Sequence, residues 1–346
     1  MDALLSPRRR RLLAAFGFTA LGAACGLRPQ TASPALRFAG QSMGSTWSVR
    51  VAGGPFDPAL EAAAQQAVVD ALDGVVARMS TFDPQSEIGR FNRHLAGTDF
   101  AVSPDTMAVI GHAHQVARLS DGAFDPTVAP LVRAWGFGAD ARSRGAAPTA
   151  AELDAALGWQ HLRLDAARGS VRKALPGLQI DLSGIAKGHA VDRAAQALDT
   201  LGLARYMVEA GGEIRTRGLN AEGRPWQIAV ERPDSWPQRV HRVVPLQGLA
   251  IATSGDYRNF YEHDGRRVHH EIDPATRAPA AHRVASVSVV HDECRHADAM
   301  ATALFVMGPE RGLALAREQR LAALFIVREP GGGLRDLASP AFAALG

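Results

Sequence analysis

The fold of this chain is decided by the stretch Gly177–Leu198, GLQIDLSGIAKGHAVDRAAQAL. Between Leu178 and Leu182 apolar residues alternate with polar ones, and this period of two predicts a half-buried strand. From Ile185 onward the apolar residues recur every three or four positions, which predicts one face of a helix. The stretch therefore predicts a strand that stops at Ser183-Gly184 and leads into a helix.

The junction between this strand and this helix is a candidate anion site. Such a junction presents unpaired backbone N–H groups and the positive end of the helix dipole. Gly184 and Gly188 leave room for an anion to approach the backbone, and Lys187 adds a positive charge. A phosphate is the most plausible ligand, although both glycines could instead serve only a tight turn and close helix packing. The spacing matches neither a P-loop nor the GxGxxG fingerprint.

The composition is that of a globular protein. A chain of 346 residues can bury a large core as one elaborate domain or two. The net charge of +3 is not concentrated in a long basic run outside the N-terminus, which argues against nucleic acid as a partner. Helical and strand patterns interleave without a regular βαβ rhythm, so we expect an α+β fold with mixed sheets.

The N-terminus has the pattern of an export signal. Arg8–Arg11 precedes the apolar run Leu12–Ala24, and paired arginines suit a twin-arginine route. Cys25 resembles a lipoprotein attachment cysteine, but Leu21 lies one residue farther away than usual. The apolar run is too short for a stable membrane span. We expect residues 1–30 to be an export signal and the protein to be periplasmic, with inner-membrane anchoring through Cys25 left open.

Other segments carry recognisable start and stop signals. Asp57-Pro58 and Ser103-Pro104 predict the beginnings of two helices. Residues 80–92 are too polar and broken for either regular period, so we expect a long structured loop there. Residues 139–157 are expected to form a flexible insertion followed by a short capped helix. Residues 243–253 are expected to form one strand.

A nearly all-apolar helix is predicted at residues 297–306, and it carries two polar side chains on one face. Asp298 and Thr302 are four residues apart and therefore face the same way. A carboxylate and a hydroxyl are ligands that suit Mg²⁺ or Ca²⁺ better than zinc. Asp298 could instead cap the helix, and Thr302 could bond to the carbonyl four residues earlier.

Histidines provide two further candidates. His270 lies near the end of a strand expected over residues 267–272 and could act as a general base near neutral pH. Because neighbouring side chains of a strand point to opposite faces, at most one of His269 and His270 lines a given pocket. His291, Cys294 and His296 suggest zinc, but no second cysteine pair completes a tetrahedral set.

Eight short motifs follow one another between Met43 and about Val327. They are Met43-Gly44-Ser45, Ser80–Pro84 with Ser86 and Asn92, Asp121–Thr127, Asp181–Gly188, Gly211-Gly212, Thr253–Gly255, His270–Pro274, and Asp298 with Thr302. In kind and in order these motifs resemble those of the ApbE-type flavin transferases, the FAD:protein FMN transferases.

The resemblance implies a function and a domain organisation. It implies one flavin transferase domain over residues 31–346, with the option of two subdomains that share the FAD site. The implied reaction is Mg²⁺-dependent transfer of FMN from FAD to a threonine or serine hydroxyl of a flavoprotein, with release of AMP. The implied acceptors are subunits of membrane redox complexes. An exported FAD-binding protein and a Mg²⁺-dependent FAD pyrophosphatase are the alternatives.

The resemblance also implies roles for individual residues. The carbonyl of Gly184, Asp298 and Thr302 would hold the metal, and His270 would be the catalytic base. The implied lining of the FAD site is Met43, Phe82, Ala123, Phe124, Asp125, Asp181, Lys187 and Ile272. Ser45, Glu271 and Arg277 depart from the residues usual in the family, and the last two put the local turn and charge beside His270 in question.

Overall fold

The structure is a computed structural model that describes residues 35–138, 149, 153 and 156–345. These residues belong to one compact unit. The expected export signal, the insertion and most of the helix expected before residue 158 lie outside the described residues. Among the described helices, none is long and apolar enough to cross a membrane.

The helices and strands of the described residues are as follows. The helices are α1 (Pro58–Met79), α2 (Glu87–Arg93), α3 (Pro104–Leu119), α4 (Ala129–Ala134), α5 (Ala186–Thr200), α6 (Cys294–Glu318) and α7 (Pro340–Ala343). The first nine strands are β1 (Ala35–Ser42), β2 (Ser45–Ala52), β3 (Phe100–Ala101), β4 (Leu162–Asp165), β5 (Ser170–Lys173), β6 (Tyr206–Ala210), β7 (Glu213–Arg217), β8 (Trp226–Glu231) and β9 (Val240–Leu246). The others are β10 (Ala250–Gly255), β11 (Phe260–His263), β12 (Arg266–His269), β13 (Ile272–Asp273), β14 (Ala278–Pro279), β15 (Val284–His291), β16 (Ala322–Arg328) and β17 (Leu334–Ala338).

An eight-stranded sheet forms the centre of the fold. Its strand order is β1-β2-β6-β7-β10-β15-β16-β17, and neighbouring strands are antiparallel. Helices α1, α5 and α6 form a layer, in which α5 contacts both α1 and α6, and α6 packs on β10 and β15. The expectation of an α+β fold is confirmed.

Two apolar cores lie on the sheet. The larger core joins the sheet to α1, α5 and α6, and it includes fully buried Val68, Val191 and Leu304. The smaller core joins the β8–β9 hairpin and α7 to the sheet through residues such as Ile228 and Phe342. Burial of such side chains stabilises the fold by about 1.5–3 kcal/mol each. The two cores hold the sheet from both sides, and this rigid frame positions the loops described below.

The helix starts follow their capping signals. The Asp57 carboxylate accepts the Ala59 N–H at 2.8 Å, and the Ser103 hydroxyl accepts the Thr106 N–H at 3.3 Å. Helix α6 is interrupted at Gly308, where φ is 76°, a value that favours glycine. Pro309 follows, because proline fits the start of the second helical segment but not the interior of a helix.

Four sequence expectations about local structure need correction. Residues 80–92 are not all loop, because the Ser86 hydroxyl caps a short helix, α2, by accepting the Gly89 N–H at 2.8 Å. Residues 243–253 form parts of two strands, separated by a turn at Gly248 with φ of 72°. The strand expected over 267–272 stops at His269, and Ile272 begins another pair. The strand expected at Ile180 is extended chain with one isolated bridge, between Val128 and Gln179.

His114 is a buried histidine whose protonation we expect to destabilise the fold. Its residue is 7% exposed, and its ring packs edge-on against Trp159 with centroids 5.6 Å apart. Burial lowers the pKa of His114 from 6.5 to about 4. The unfolded chain therefore binds this proton at a higher pH than the folded chain does. The stability that the neutral ring provides is present above about pH 6.5 and is lost as the pH falls toward about 4.

Replacing His114 by leucine should remove this sensitivity. Between about pH 7 and about pH 4.5, the free energy of urea unfolding should fall by roughly 2 kcal/mol less in His114→Leu than in the wild type. His263→Gln is the control, since the His263 side chain is 52% exposed, and it should behave like the wild type. Equal losses in the wild type and His114→Leu would contradict the assignment.

Candidate active site

One cavity collects most of the residues singled out from the sequence. Its volume is about 690 Å³, within the range of roughly 300–1,000 Å³ typical of small-molecule sites. Its walls come from the loops around α2 and α4, the start of α5, the β6–β7 turn, strands β8 and β10, the His270 segment and α6. The cavity is therefore assembled from segments distant in sequence.

The extended segment that precedes α5 is held by side-chain and backbone hydrogen bonds. The amide of Asn92 accepts the Ile180 N–H at 2.7 Å and donates to the Ile180 carbonyl at 2.9 Å. The Asp181 N–H donates to the Pro126 carbonyl at 2.8 Å. Asn92 thus takes the place of a neighbouring strand, which explains why the period-two pattern occurs without a regular strand.

The two glycines of the junction have different surroundings. A Cβ on Gly184 would lie 3.2 Å from both the Thr302 Oγ1 atom and the Phe124 ring. A Cβ on Gly188 would lie 2.5 Å from the Cys294 carbonyl oxygen and 2.8 Å from Asp298 Cβ. Gly188 therefore serves the close packing of α5 on α6, which is one of the alternatives left open by the sequence. Gly184 brings the junction next to Thr302.

Asp298 joins the two helices directly. Its Oδ2 atom accepts the Gly188 N–H at 2.9 Å, so one of the free donors expected at the junction is occupied by this carboxylate. Asp298 is 4% exposed. Burial raises the pKa of Asp298, while Lys187 and the Gly188 N–H oppose the rise. Thr302 lies one turn farther along α6, where its Oγ1 atom shares a 2.9 Å hydrogen bond with the Ser254 hydroxyl.

Lys187 does not extend freely into the cavity. Its ammonium donates to the Glu213 carboxylate, and the pair is largely buried. Burial raises the pKa of Glu213 to about 7, although Lys187 opposes the rise. Burial alone would lower the pKa of Lys187, but Glu213 and Asp298 raise it above its ordinary value. The second oxygen of Glu213, Oε2, has no hydrogen-bond partner among the described residues.

His270 lines the cavity, whereas His269 does not. The His269 ring is buried edge-on against Phe305 with centroids 5.7 Å apart, and its Nε2 lies 3.1 Å from the Ala280 carbonyl. Burial lowers the pKa of His269 to about 4. The His270 side chain is 37% exposed, and its Nδ1 lies 3.2 Å from the Asn259 carbonyl. One histidine of the pair is therefore part of the core and the other faces the cavity.

Asp125 stabilises the loop before α4. Its Oδ1 atom accepts the Thr127 N–H at 2.7 Å and the Thr127 hydroxyl at 2.6 Å, and Oδ2 accepts the Trp159 N–H at 3.2 Å. Burial raises the pKa of Asp125. The hydrogen bonds fix the neighbouring Phe124 against Gly184. Asp125 thus shapes the cavity wall as well as lining it.

The structure brings together all but one of the residues expected at the site. The residues that line the cavity are Phe82, Ala123, Phe124, Asp125, Asp181, Gly184, Lys187, His270, Ile272, Asp298 and Thr302. Met43 is absent from this wall. It occupies the β1–β2 turn with φ of 53°, and its side chain packs against the main core. Ser45 and Thr46 line the cavity instead.

Sequence reasoning missed Glu213. Its only signal is its position directly after the Gly211-Gly212 turn, at the first residue of β7. A surface carboxylate at a turn would have the same signal, so only the tertiary structure shows its contact with Lys187. The structure does not support the zinc alternative either. The Cys294 thiol is buried with Sγ 3.7 Å from the Ile214 carbonyl, and no set of three metal-binding side chains converges among the described residues.

The cavity carries an excess of negative charge. Its walls contain seven carboxyl groups, those of Asp125, Asp181, Glu209, Glu213, Glu231, Glu271 and Asp298. The cationic side chains in the same walls are Lys187 and Arg258. An anionic ligand would be repelled by such a cavity unless a cation or bound protons offset the charge.

Comparison with known proteins identifies the family. The sequence profile of the ApbE family matches residues 43–325. The FAD:protein FMN transferase of Vibrio cholerae is 42% identical over 311 residues, which cover 89% of this chain and 91% of the relative. The Salmonella typhimurium protein of the same name is 37% identical over 341 residues, 96% of each chain. The chain belongs to the ApbE family, and these relatives bear the name of a transferase.

Solved structures agree with this assignment. The flavin transferase ApbE from Vibrio cholerae has a TM-score of 0.82 with this chain at 40% identity, covering 91% of this chain and 100% of that one. The apo form of the Pseudomonas stutzeri flavinyl transferase ApbE has a TM-score of 0.80 at 37% identity, covering 90% and 96%. The fold is therefore that of ApbE flavin transferases.

The contact between Gly188 and α6 can be tested by adding one methyl group. Gly188→Ala should destabilise the protein by about 1–3 kcal/mol, because the Cys294 backbone cannot move away easily. Gly111→Ala is the control, since a Cβ there meets no atom within 4 Å. It should be neutral or stabilising by up to about 1 kcal/mol. Denaturant unfolding measures both, and a Gly188→Ala variant as stable as the wild type would refute the close contact.

Proposed function

We propose that this chain transfers FMN from FAD to a threonine or serine hydroxyl of a target flavoprotein, requires Mg²⁺ and releases AMP. The observation that carries the proposal is the meeting of Asp298 and Thr302 with the Gly184 junction and Lys187 in one cavity. The names of the relatives support FMN transfer. The hydroxyl acceptor and AMP release are what the resemblance to the family implies, and the oxygen donors of the site support the Mg²⁺ requirement.

The residues present fit a hard divalent cation. The carboxylate of Asp298, the hydroxyl of Thr302 and the carbonyl of Gly184 are all oxygen donors, which Mg²⁺ prefers. The surplus of carboxyl groups and the unpartnered Oε2 of buried Glu213 also favour a bound cation. We propose that Asp298, Thr302 and Gly184 hold Mg²⁺. A bound Mg²⁺ would supply positive charge that offsets the diphosphate of FAD.

The remaining walls fit the other parts of FAD. Lys187 provides the positive charge nearest the junction, where we place the diphosphate. Phe82 is 68% exposed and offers an aromatic face on which the flavin ring can stack. Ala123, Phe124, Asp125, Asp181 and Ile272 complete the proposed FAD site. Met43 lies in the adjoining β1–β2 turn, where its half-buried side chain packs against the main core, and it stays a predicted member of this set.

His270 is the proposed catalytic base. A carbonyl only accepts hydrogen bonds, so the contact with Asn259 places a proton on Nδ1, and in the neutral ring the Nε2 lone pair is then free. In the proposed step the acceptor hydroxyl gives its proton to Nε2 while its oxygen bonds to the phosphorus of the FMN moiety. The bond from that phosphorus to the bridging oxygen breaks, and AMP leaves with this oxygen. A positioned base contributes roughly 10²- to 10⁴-fold to such a reaction.

We propose that the acceptors are subunits of membrane redox complexes and that the protein works in the periplasm. The arginine-rich, then apolar, N-terminal sequence supports export, and the context of Cys25 supports a lipid anchor. An anchored enzyme would meet membrane-bound acceptors by diffusion in two dimensions. These proposals concern residues outside the described part of the chain.

The transfer reaction can be tested with purified protein, FAD, Mg²⁺ and candidate acceptor subunits. The wild type should give a fluorescent flavin-labelled acceptor on a denaturing gel. His270→Gln should slow labelling by roughly 10²-fold or more, because the base is lost. Asp298→Asn should slow it at least as much, because the proposed metal loses its carboxylate ligand. Asp292→Asn is the control, since the Asp292 side chain is 74% exposed.

Different outcomes identify the alternatives. Free FMN and AMP without an acceptor would indicate an FAD pyrophosphatase, in which water replaces the hydroxyl. Tight FAD binding with neither product would indicate a flavin-binding protein. Full labelling activity in both variants would show that the roles of Asp298 and His270 are wrong.

The anchor can be tested separately by Cys25→Ser in the full chain. Because the thiol is the attachment point for lipid, the variant should move from the membrane fraction to the soluble periplasmic fraction. Immunoblotting of both fractions measures this shift. Identical distribution of the wild type and Cys25→Ser would show that Cys25 carries no anchor.

A further inference from the structure

Glu271 is a buried carboxylate beside the proposed base. It is 6% exposed and lines the cavity next to His270. Its Oε1 atom lies 3.6 Å from His270 Nε2, the nitrogen that Asn259 leaves without a proton. Residues next to each other in an extended segment normally point apart. Here β12 ends at His269, and the irregular chain before β13 lets both side chains reach one cavity.

Groups outside its own segment favour the ionised form of this carboxylate. They are the backbone N–H of Gly255 and the ammonium of Lys187 on α5. Burial raises the pKa of Glu271, and Asp298 adds to the rise, while His270, Lys187 and the Gly255 N–H oppose it. Burying a carboxylate is costly, so its position is retained only where partners offset the cost.

We propose that Glu271 is a positioning residue for His270: it favours proton uptake at Nε2 and so makes the imidazole a stronger base. This inference rests on the transfer reaction proposed above. As the acceptor hydroxyl gives its proton to Nε2, the ring becomes a cation with the Glu271 carboxylate nearby. The backbone carbonyl of Asn259 retains the Nδ1 proton and fixes the ring orientation. Glu271 itself gains and loses no proton in this step.

The charged groups around His270 come from several elements. Glu271 and His269 are its neighbours in the chain. The charges of Lys187 on α5 and Asp298 on α6 affect Glu271. Phe137 faces the His270 ring, with ring centroids 6.2 Å apart. Arg258, next to Asn259, is engaged by Glu231 at 2.7 Å. Glu271 is therefore the carboxylate in direct reach of Nε2, which makes it the group to alter.

Two readouts test the proposal, and one of them does not need activity. In Glu271→Gln, the NMR signal of the His270 ring should change at a pH lower by about half a unit or more, because a nearby negative charge is lost. The acid limb of the labelling rate should move in the same direction, and the maximal rate should fall about 3- to 10-fold. The KM for FAD should change little. The signal is assigned by its loss in His270→Gln.

Controls separate this effect from a general effect of charge or stability. Glu262→Gln removes an exposed carboxylate from the neighbouring hairpin and should leave both profiles unchanged. Glu271→Asp keeps the charge but withdraws it, so it should shift both profiles less than Glu271→Gln does. If Glu271→Gln does not fold, the comparison of Glu271→Asp with the wild type decides.

The proposal would be overturned if the NMR and rate profiles of Glu271→Gln superimpose on those of the wild type. If Glu271→Asp is used in its place, the same outcome would overturn it. A wild type that labels no acceptor would overturn the proposed function instead, and the NMR readout would still decide whether Glu271 acts on His270.

Discussion

The close approach of α5 to α6 is the constraint on which the rest of the structure depends. Gly188 allows the helices to approach so closely that its N–H donates to Asp298. This contact places the start of α5, with Lys187, beside the polar face of α6. A larger residue at position 188 would push the two helices apart. The cavity residues on α5 would then lie farther from those on α6. The aliphatic residues around Asp298 exclude solvent from its carboxylate. A buried carboxylate is costly unless a positively charged group lies beside it.

The electrostatics of the cavity follow from this arrangement. Asp298, Glu213 and Glu271 are each almost fully buried, and burial raises the pKa of all three. Lys187 is the ammonium that faces them. One ammonium does not balance three ionised carboxylates, so bound protons or a bound cation must supply the remaining positive charge. An anionic dinucleotide would add to this need for positive charge.

Much of the fold was predictable because its signals are local. The caps at Asp57 and Ser103 depend on neighbours in sequence, and the structure contains them. The strand expected at Ile180 was wrong because alternation reports burial and not hydrogen bonding. Leu178 and Ile180 are fully buried, but their segment is held by Asn92 and not by a sheet.

The site was predictable to the extent that its residues belong to motifs. Eleven of the residues expected at the site line the cavity, but no local signal distinguished Glu213 from a surface carboxylate. Met43 lies outside this wall in the β1–β2 turn, where its half-buried side chain packs against the main core. The contact of Glu271 with His270 depends on the irregular chain between β12 and β13, which no period in the sequence reveals.

The central claim is that Asp298, Thr302 and Gly184 form a cation site against the diphosphate of FAD. Anomalous diffraction from crystals grown with Mn²⁺ and FAD tests it most directly, because Mn²⁺ takes the same oxygen ligands as Mg²⁺. The account predicts an anomalous peak within bonding distance of the Asp298 carboxylate and the Thr302 hydroxyl, next to the phosphates. A peak bound elsewhere in the cavity, or bound FAD with no metal peak, would contradict it.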